Sequence, residues 1–261
     1  MSQSVTHQSA IRNPQSAIPG VRNPQSAIER GRPLVVEVAG PAGAGKSELA
    51  RALAGRDAGV SQSLGVWGLP WAALAAGALS SLPLLASLCG RRQVGRGEAA
   101  LLVRLRALYG LLGRASGVEH ATLLLDEGAV FALAKLDAYG RAAGEGKSAA
   151  SHDEAGRSDR RSSELFTRWA ARLDAVVWLD APDTVLARRI RERAKPHRMK
   201  DRPDAEVFEF LARYRAAYAR VLSELERRNG LRVLRFSTES ESAESLAGRV
   251  LASLRGECVT A

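Results

Sequence analysis

The amino-acid sequence predicts an α/β fold in which a parallel sheet of about five strands carries helices on both faces. Three observations lead there. Short apolar runs near residues 34, 123, 176 and 232 alternate with longer segments of helical period, the pattern of strands buried on both faces and joined by crossover helices. The first run, Pro33 to Ala39, passes directly into the glycine-rich octet Gly40-Pro41-Ala42-Gly43-Ala44-Gly45-Lys46-Ser47. The run Ala121 to Leu125 ends in Asp126-Glu127 and the next one ends in Asp180, so carboxylates are delivered to the carboxyl edge of the sheet, where ligands of such folds bind.

The elements follow in order. Within residues 1–31, Arg12 to Ile18 recurs almost unchanged as Arg22 to Ile28. Two copies are too few for a solenoid, and the Ser, Gln, Asn and Pro content predicts a disordered tail ahead of a folded domain over 32–256. After the octet, Glu48 to Ala54 is rich in helix formers, with Gly55 as a stop. The second strand of such a sheet belongs within 57–66, where no run identifies it. Val66 to Gly90 holds no charged residue. Its length meets that of a membrane span, while Pro70, Pro83, several glycines and Ser80-Ser81 favour two shorter paired helices; a segment inserted into a membrane or lying on it is the competing reading. Glu98 to Leu112 is a leucine-rich amphipathic helix, so 66–112 reads as one helical region.

Ala121 to Gly128 reads as a buried parallel strand that delivers Asp126. Residues 140–160, rich in Gly, Ser and charge, read as a mobile loop. A helix over Ser163 to Arg172 leads to the strand Ala175 to Asp180. From Thr184 the chain is helical and very basic, with a cluster of cations between Arg188 and Arg202. A long helix from Ala205 to about Arg228 places Val207, Leu211, Tyr214, Tyr218, Val221 and Leu225 at three- and four-residue steps. Leu231 to Phe236 is a further strand, and Ser242 to Leu254 a closing helix.

At 261 residues, with 46% hydrophobic and 25% charged residues, the chain is neither disordered nor fibrous and is long enough for one large domain. Cys89 and Cys258 match no metal or disulfide spacing, which makes a reducing cytoplasm the expected location. The net charge of +10 suits nucleic acid, an anionic membrane or a phosphorylated substrate alike. No nucleic-acid-binding motif and no alternation of aromatics with cations accompanies it, so nucleic acid is not the expected partner. A homodimer is left open.

The octet carries the chemistry. G-x-x-x-x-G-K-[ST] between a strand and a helix is the phosphate-binding loop of P-loop NTPases: backbone N–H groups from Gly40, Ala42, Gly43, Ala44 and Gly45 and the helix dipole surround a polyphosphate, Lys46 reaches its outer phosphates, and Ser47 ligates Mg²⁺. ATP or GTP is the implied ligand, and the fold class becomes the P-loop three-layer sandwich. A metal held by Ser47 needs a carboxylate from a neighbouring strand end, which assigns Asp126 to the metal. Glu127 would orient water in a hydrolysing ATPase or accept a proton from the acceptor in a kinase, or simply complement a helix dipole.

The stretch Asp174 to Arg202, in which "DAVVWLDAPDTVLARRIRER" runs into "AKPHRMKDRP", resembles the fourth strand and lid of thymidylate kinase-like P-loop kinases. The closing "LRVLRFSTESESAESLAGRVLASL" is similar in order to the end of that family, so the resemblance spans most of 33–254. It implies phosphoryl transfer from ATP with Mg²⁺ to a small-molecule acceptor, a basic lid over 186–203, and Arg189, Arg193 and Arg198 as the lid arginines that stabilise charge on the transferred group. It also places acceptor-binding helices between the first and third strands. Val66 to Gly90 is therefore expected to line the acceptor pocket, and its lack of charge to favour an apolar or lipid-bearing acceptor. Thymidylate kinases usually carry Asp-Arg where this chain has Asp126-Glu127, so thymidine monophosphate is not implied. A P-loop ATPase or nucleotide-dependent switch, with or without membrane association, is the alternative reading.

Overall fold

The computed structural model describes residues 32–61, 64–89, 95–114, 121–144 and 163–256. The repeat-containing tail and most of the loop expected over 140–160 lie outside the described residues. Four parallel strands, β1 (Leu34–Ala39), β2 (Thr122–Asp126), β3 (Ala175–Asp180) and β4 (Arg232–Ser237), form one sheet in the order β2-β1-β3-β4. The fifth strand sought within 57–66 is an edge segment pairing with β2 at two isolated parallel bridges, Val60 with Thr122 and Leu64 with Leu125. Its composition explains the interruption. Gly59, Ser61 and Gly65 fit a pleated ladder poorly, and the Ser61 hydroxyl takes the Leu124 N–H at 3.2 Å where a backbone carbonyl would otherwise accept it.

Because side chains alternate along a strand, β1 splits between two cores. Val35 and Ala39 join the cluster on one face, Leu34, Val36 and Val38 that on the other. Helices α1 (Lys46–Arg56), α6 (Asp183–Glu192) and α8 (Ala243–Arg255) cover the second face; α2 (Trp71–Cys89), α3 (Arg96–Arg114), α4 (Ala129–Gly144) and α5 (163–172) cover the first. The long α7 (Asp204–Asn229) serves both, giving Val207 and Leu211 to one cluster and Tyr218, Val221 and Leu225 to the other. The result is the three-layer sandwich expected from the alternation of elements.

Three boundaries differ from expectation. Helix α1 runs through Gly55 to Arg56, α4 extends to Gly144 where a loop was expected to have begun, and the 66–90 tract is not a pair of helices. It forms an irregular turn followed by the single helix α2, which continues through Pro83. Proline removes one donor from the ladder, and close contact compensates along the rest of the helix: a Cβ on Gly77 would lie 2.7 Å from Ala107 Cβ and 2.8 Å from the Val103 carbonyl oxygen of α3. The hairpin is therefore α2 against α3. Among the described residues, no helix is long and apolar enough to cross a membrane.

The start of the sheet is fastened by Asp174, which is buried, accepts Arg32 through both carboxylate oxygens at 2.6 and 2.8 Å, and also takes the Val35 N–H at 2.9 Å. Asp174→Ala is expected to cost about 2–4 kcal/mol, because it orphans a β1 donor and a partly buried guanidinium. Denaturant unfolding of the two proteins checks this, and a cost below about 0.5 kcal/mol would show that the sheet does not depend on this cluster.

Candidate functional site

β1 is a central strand whose two neighbours are reached by connections running opposite ways, so a crevice opens at its carboxyl end. Gly40 to Gly45 turn there, and Gly45, with φ of 80° at the N-cap of α1, adopts a left-handed conformation that a side chain would resist. The loop lines a cleft of about 960 Å³ whose walls also come from Trp67, Glu127, α4, α6, the 193–198 segment, α7 and the turn after β4.

Within it, the Lys46 ammonium donates to the carbonyls of Gly40 and Pro41, both at 2.9 Å, which curls the side chain back over the loop. Loss of water around that ammonium lowers its pKa, while Asp126 and Glu127 pull it back up and Arg193 pushes it down. Ser47, at the next position, donates its hydroxyl to Asp126 Oδ2 at 2.7 Å. The other carboxylate oxygen, Asp126 Oδ1, is buried without a hydrogen-bond partner. A buried, unpaired carboxylate oxygen beside a hydroxyl is a hard-oxygen pair suited to Mg²⁺, which takes few protein ligands and completes its shell with phosphates and water. No cluster of three or more His, Cys, Asp or Glu side chains able to hold a metal occurs among the described residues.

Glu127 follows at the turn into α4 with φ of 56°, the only non-glycine residue of positive φ among those described. Such a conformation costs about 1–2 kcal/mol and is kept where surroundings enforce it. Here Val66 N–H holds the Glu127 carbonyl at 3.0 Å, and Gly65 lies so close that a Cβ on it would sit 2.2 Å from the Asp126 carbonyl oxygen. The edge segment thus packs directly against the backbone that carries both carboxylates.

The three arginines expected in a lid, Arg189, Arg193 and Arg198, all line the cleft and differ in what they touch. Arg189 is tied down, donating to the Thr238 carbonyl at 2.6 Å and hydroxyl at 3.0 Å, which joins α6 to the turn after β4. Arg193 lies near enough to Lys46 and His197 to depress both their pKa values. The Arg198 guanidinium stacks 4.8 Å from the Phe210 ring. Between them His197 has its pKa lowered, first by burial and then by Arg193, Arg198 and Lys46, so it is neutral at pH 7.

Residues that the sequence analysis did not single out complete the site. Lys135 of α4 lies 5.1 Å from the Trp67 ring and 5.0 Å from Phe131, and Arg104 lies 4.7 Å from Trp67 while holding the Val66 carbonyl at 2.9 Å. Trp67 is the one residue of the described part of 66–90 that lines the cleft. α2 packs against α3 outside it, and the far wall is basic and aromatic rather than uncharged, so the expectation that the tract forms an apolar acceptor pocket is corrected. Lys135 was visible as the lone cation in the otherwise apolar start of α4.

Glu37 is the second omission, although a charge within the apolar run of β1 could have marked it. It is fully buried and accepts the N–H groups of Val130 at 2.8 Å and Phe131 at 3.0 Å, capping α4 directly behind Glu127. Burial raises its pKa from 4.5 to about 7, against the backbone hydrogen bonds that lower it. Burial, with Glu37 and Glu127 next, likewise raises the Tyr218 phenol, which stays protonated. An acid whose folded pKa exceeds its unfolded one stabilises fully below about 4.5, and that contribution is lost as pH rises through about 7. The wild type is therefore expected to lose melting temperature relative to Glu37→Gln between about pH 5 and pH 8. A difference independent of pH in paired thermal melts would show that Glu37 does not titrate with folding.

The sheet order and the glycine-rich loop between β1 and α1 define the class, a P-loop NTPase fold. No protein-family model matches the chain, and no curated protein matches it. Among solved structures, shikimate kinase from Bacteroides thetaiotaomicron is similar over 85% of this chain and 98% of its own, at 14% identity and a TM-score of 0.48. Deoxyadenosine kinase from M. mycoides, determined with bound dCTP, is similar over 85% of this chain and 100% of its own, at 11% identity and a TM-score of 0.48.

Proposed function

We propose that the chain transfers the γ-phosphoryl group of ATP to a small-molecule acceptor, as a phosphotransferase of the kind that the resemblance to thymidylate kinase-like enzymes implies. The observation that carries this reading is the continuity of the cleft. Its phosphate loop, with Lys46 and the Ser47–Asp126 pair, leads without a partition to Glu127, Phe131, Lys135 and Trp67, so a second molecule has room beyond the outer phosphate.

The loop N–H groups and Lys46 bind the polyphosphate and hold it in line. Ser47 and Asp126 would hold Mg²⁺, which would supply neutralisation of the polyphosphate charge. An acceptor oxygen forms a bond to the γ-phosphorus as the bond to the β–γ bridging oxygen breaks. ADP takes that electron pair, and Glu127 receives the proton of an acceptor hydroxyl. Arg193 and Arg198 counter the charge on the phosphoryl oxygens from the lid side, while Arg189, fixed on Thr238, positions α6 against the loop. The cations Lys135 and Arg198, set among Trp67, Phe131, Phe210 and Tyr214, support an acceptor with both a charged and a flat or apolar part. Glu127 in place of an arginine argues against thymidine monophosphate.

Incubation with γ-labelled ATP, Mg²⁺ and a panel of nucleosides, nucleotides, sugars and small acids tests the proposal. Label appearing in one acceptor supports it. Release of free labelled phosphate alone, unaltered by any acceptor, would replace it with the hydrolysing ATPase or switch.

A further inference from the structure

We infer that α2 lies along the surface of an anionic lipid bilayer, its axis in the headgroup layer. The observation is an apolar row that the fold leaves outside. One side of α2, carrying Ala73, Gly77 and Ser81, is buried against α3. On the opposite side Trp71 is 82%, Leu79 70% and Leu82 56% exposed, with exposed Ala75 between them. At 3.6 residues per turn these four positions fall within roughly an 80° arc, so they form one continuous stripe. Lone exposed leucines are ordinary, whereas a stripe headed by an exposed indole is not.

The charge around the stripe selects its occupant. From Ala58 to Gly97 the sequence has no carboxylate, and its only charges are arginines. Exposed Arg96 opens α3 close to the end of α2, and Arg106 of α3 reaches back to the Ser80 carbonyl of α2. Indole and leucine on one face with arginines flanking, against the single carboxylate of Glu98, which is taken up by the Gly95 N–H at the start of α3, are the complement of an anionic interface, where aromatic rings sit at headgroup depth and each cation adds attraction. A second copy of the chain is the poorer match, because it would bring together two molecules of net charge +10 through faces flanked by the same arginines. With no helix among the described residues long and apolar enough to cross the bilayer, α2 lies on it. The turn just before α2 places Trp67 in the cleft wall, so docking would bring the far end of the cleft to the membrane.

The test is sedimentation of the full chain with vesicles of phosphatidylcholine, with and without phosphatidylserine. The protein is expected to pellet with the serine-lipid vesicles, with a blue shift of tryptophan emission, and to be released by salt. Combining Trp71→Ser, Leu79→Ser and Leu82→Ser is expected to weaken vesicle binding by about tenfold or more, with melting temperature and ATP binding unchanged because the three side chains are exposed. Arg96→Glu, which leaves the stripe intact, is expected to weaken binding to serine-lipid vesicles and flatten its salt dependence. A wild type that stays in the supernatant, or a triple variant that pellets as the wild type does, overturns the inference. So does a wild-type dimer in light scattering that the triple variant breaks, since the stripe would then belong to a second copy.

Discussion

Lys46→Ala is expected to lower ATP turnover by about two to three orders of magnitude, the loss that follows removal of a fixed donor from a developing phosphoryl charge. Two effects add. The ammonium that would meet the outer phosphates is gone, and so are the 2.9 Å contacts by which it holds the Gly40 and Pro41 carbonyls and shapes the loop. The fold does not depend on it, because the β1 core beneath is apolar and buried. The melting temperature should therefore stay within about 5 °C of wild type. Steady-state turnover and a thermal melt on the same preparation check both halves. Unchanged turnover would remove the loop from the chemistry, and a collapsed melt would make Lys46 a structural residue.

Asp126→Asn separates metal use from nucleotide binding. The substitution keeps the size of the side chain and an oxygen that can accept from Ser47, now at 2.7 Å, but withdraws the negative charge and replaces one oxygen by an NH₂ group that cannot ligate a cation. Mg²⁺-dependent turnover is expected to fall by about two orders of magnitude or more, while affinity for ATP in the presence of a chelator changes by less than about threefold. Calorimetric titration of ATP with and without Mg²⁺ gives the second quantity. If turnover survives, Asp126 is not the carboxylate on the metal side; if chelated binding is lost as well, the substitution has disturbed the loop.

Much of the framework was legible because it depends on local patterns. The runs at β1, β2, β3 and β4 are short, apolar and bounded, and the octet after β1 admits few other structures, so the glycine-rich loop and the place of Asp126 at the end of the neighbouring strand were readable before any coordinates. The edge segment was not, because its pairing rests on two bridges and a serine hydroxyl rather than on an apolar run. Glu127 was readable as a carboxylate beside the site but not as a residue of positive φ, since that conformation is imposed by Val66 and Gly65, some sixty residues earlier in the chain. Arg189 illustrates the same limit. Its place in a basic helix suggested a lid, whereas its contacts with Thr238 depend on how the turn after β4 returns to the loop. The uncharged 66–90 tract was conspicuous, but composition alone could not tell a pocket wall from an outer helix. In the structure Gly77 lies tight against Val103 and Ala107 of α3, which leaves the opposite stripe outward.

Phosphoryl transfer itself can be followed by phosphorus NMR of ATP and Mg²⁺ with the full chain and a mixture of small hydroxyl- and phosphate-bearing acceptors. The γ-phosphorus signal is expected to leave ATP and reappear on one acceptor while ADP grows in step and inorganic phosphate does not, and the Lys46→Ala protein should leave the spectrum unchanged on the same timescale. Inorganic phosphate rising in step with ADP whatever acceptor is present, or the same transfer catalysed by the Lys46→Ala protein, would contradict transfer at this site.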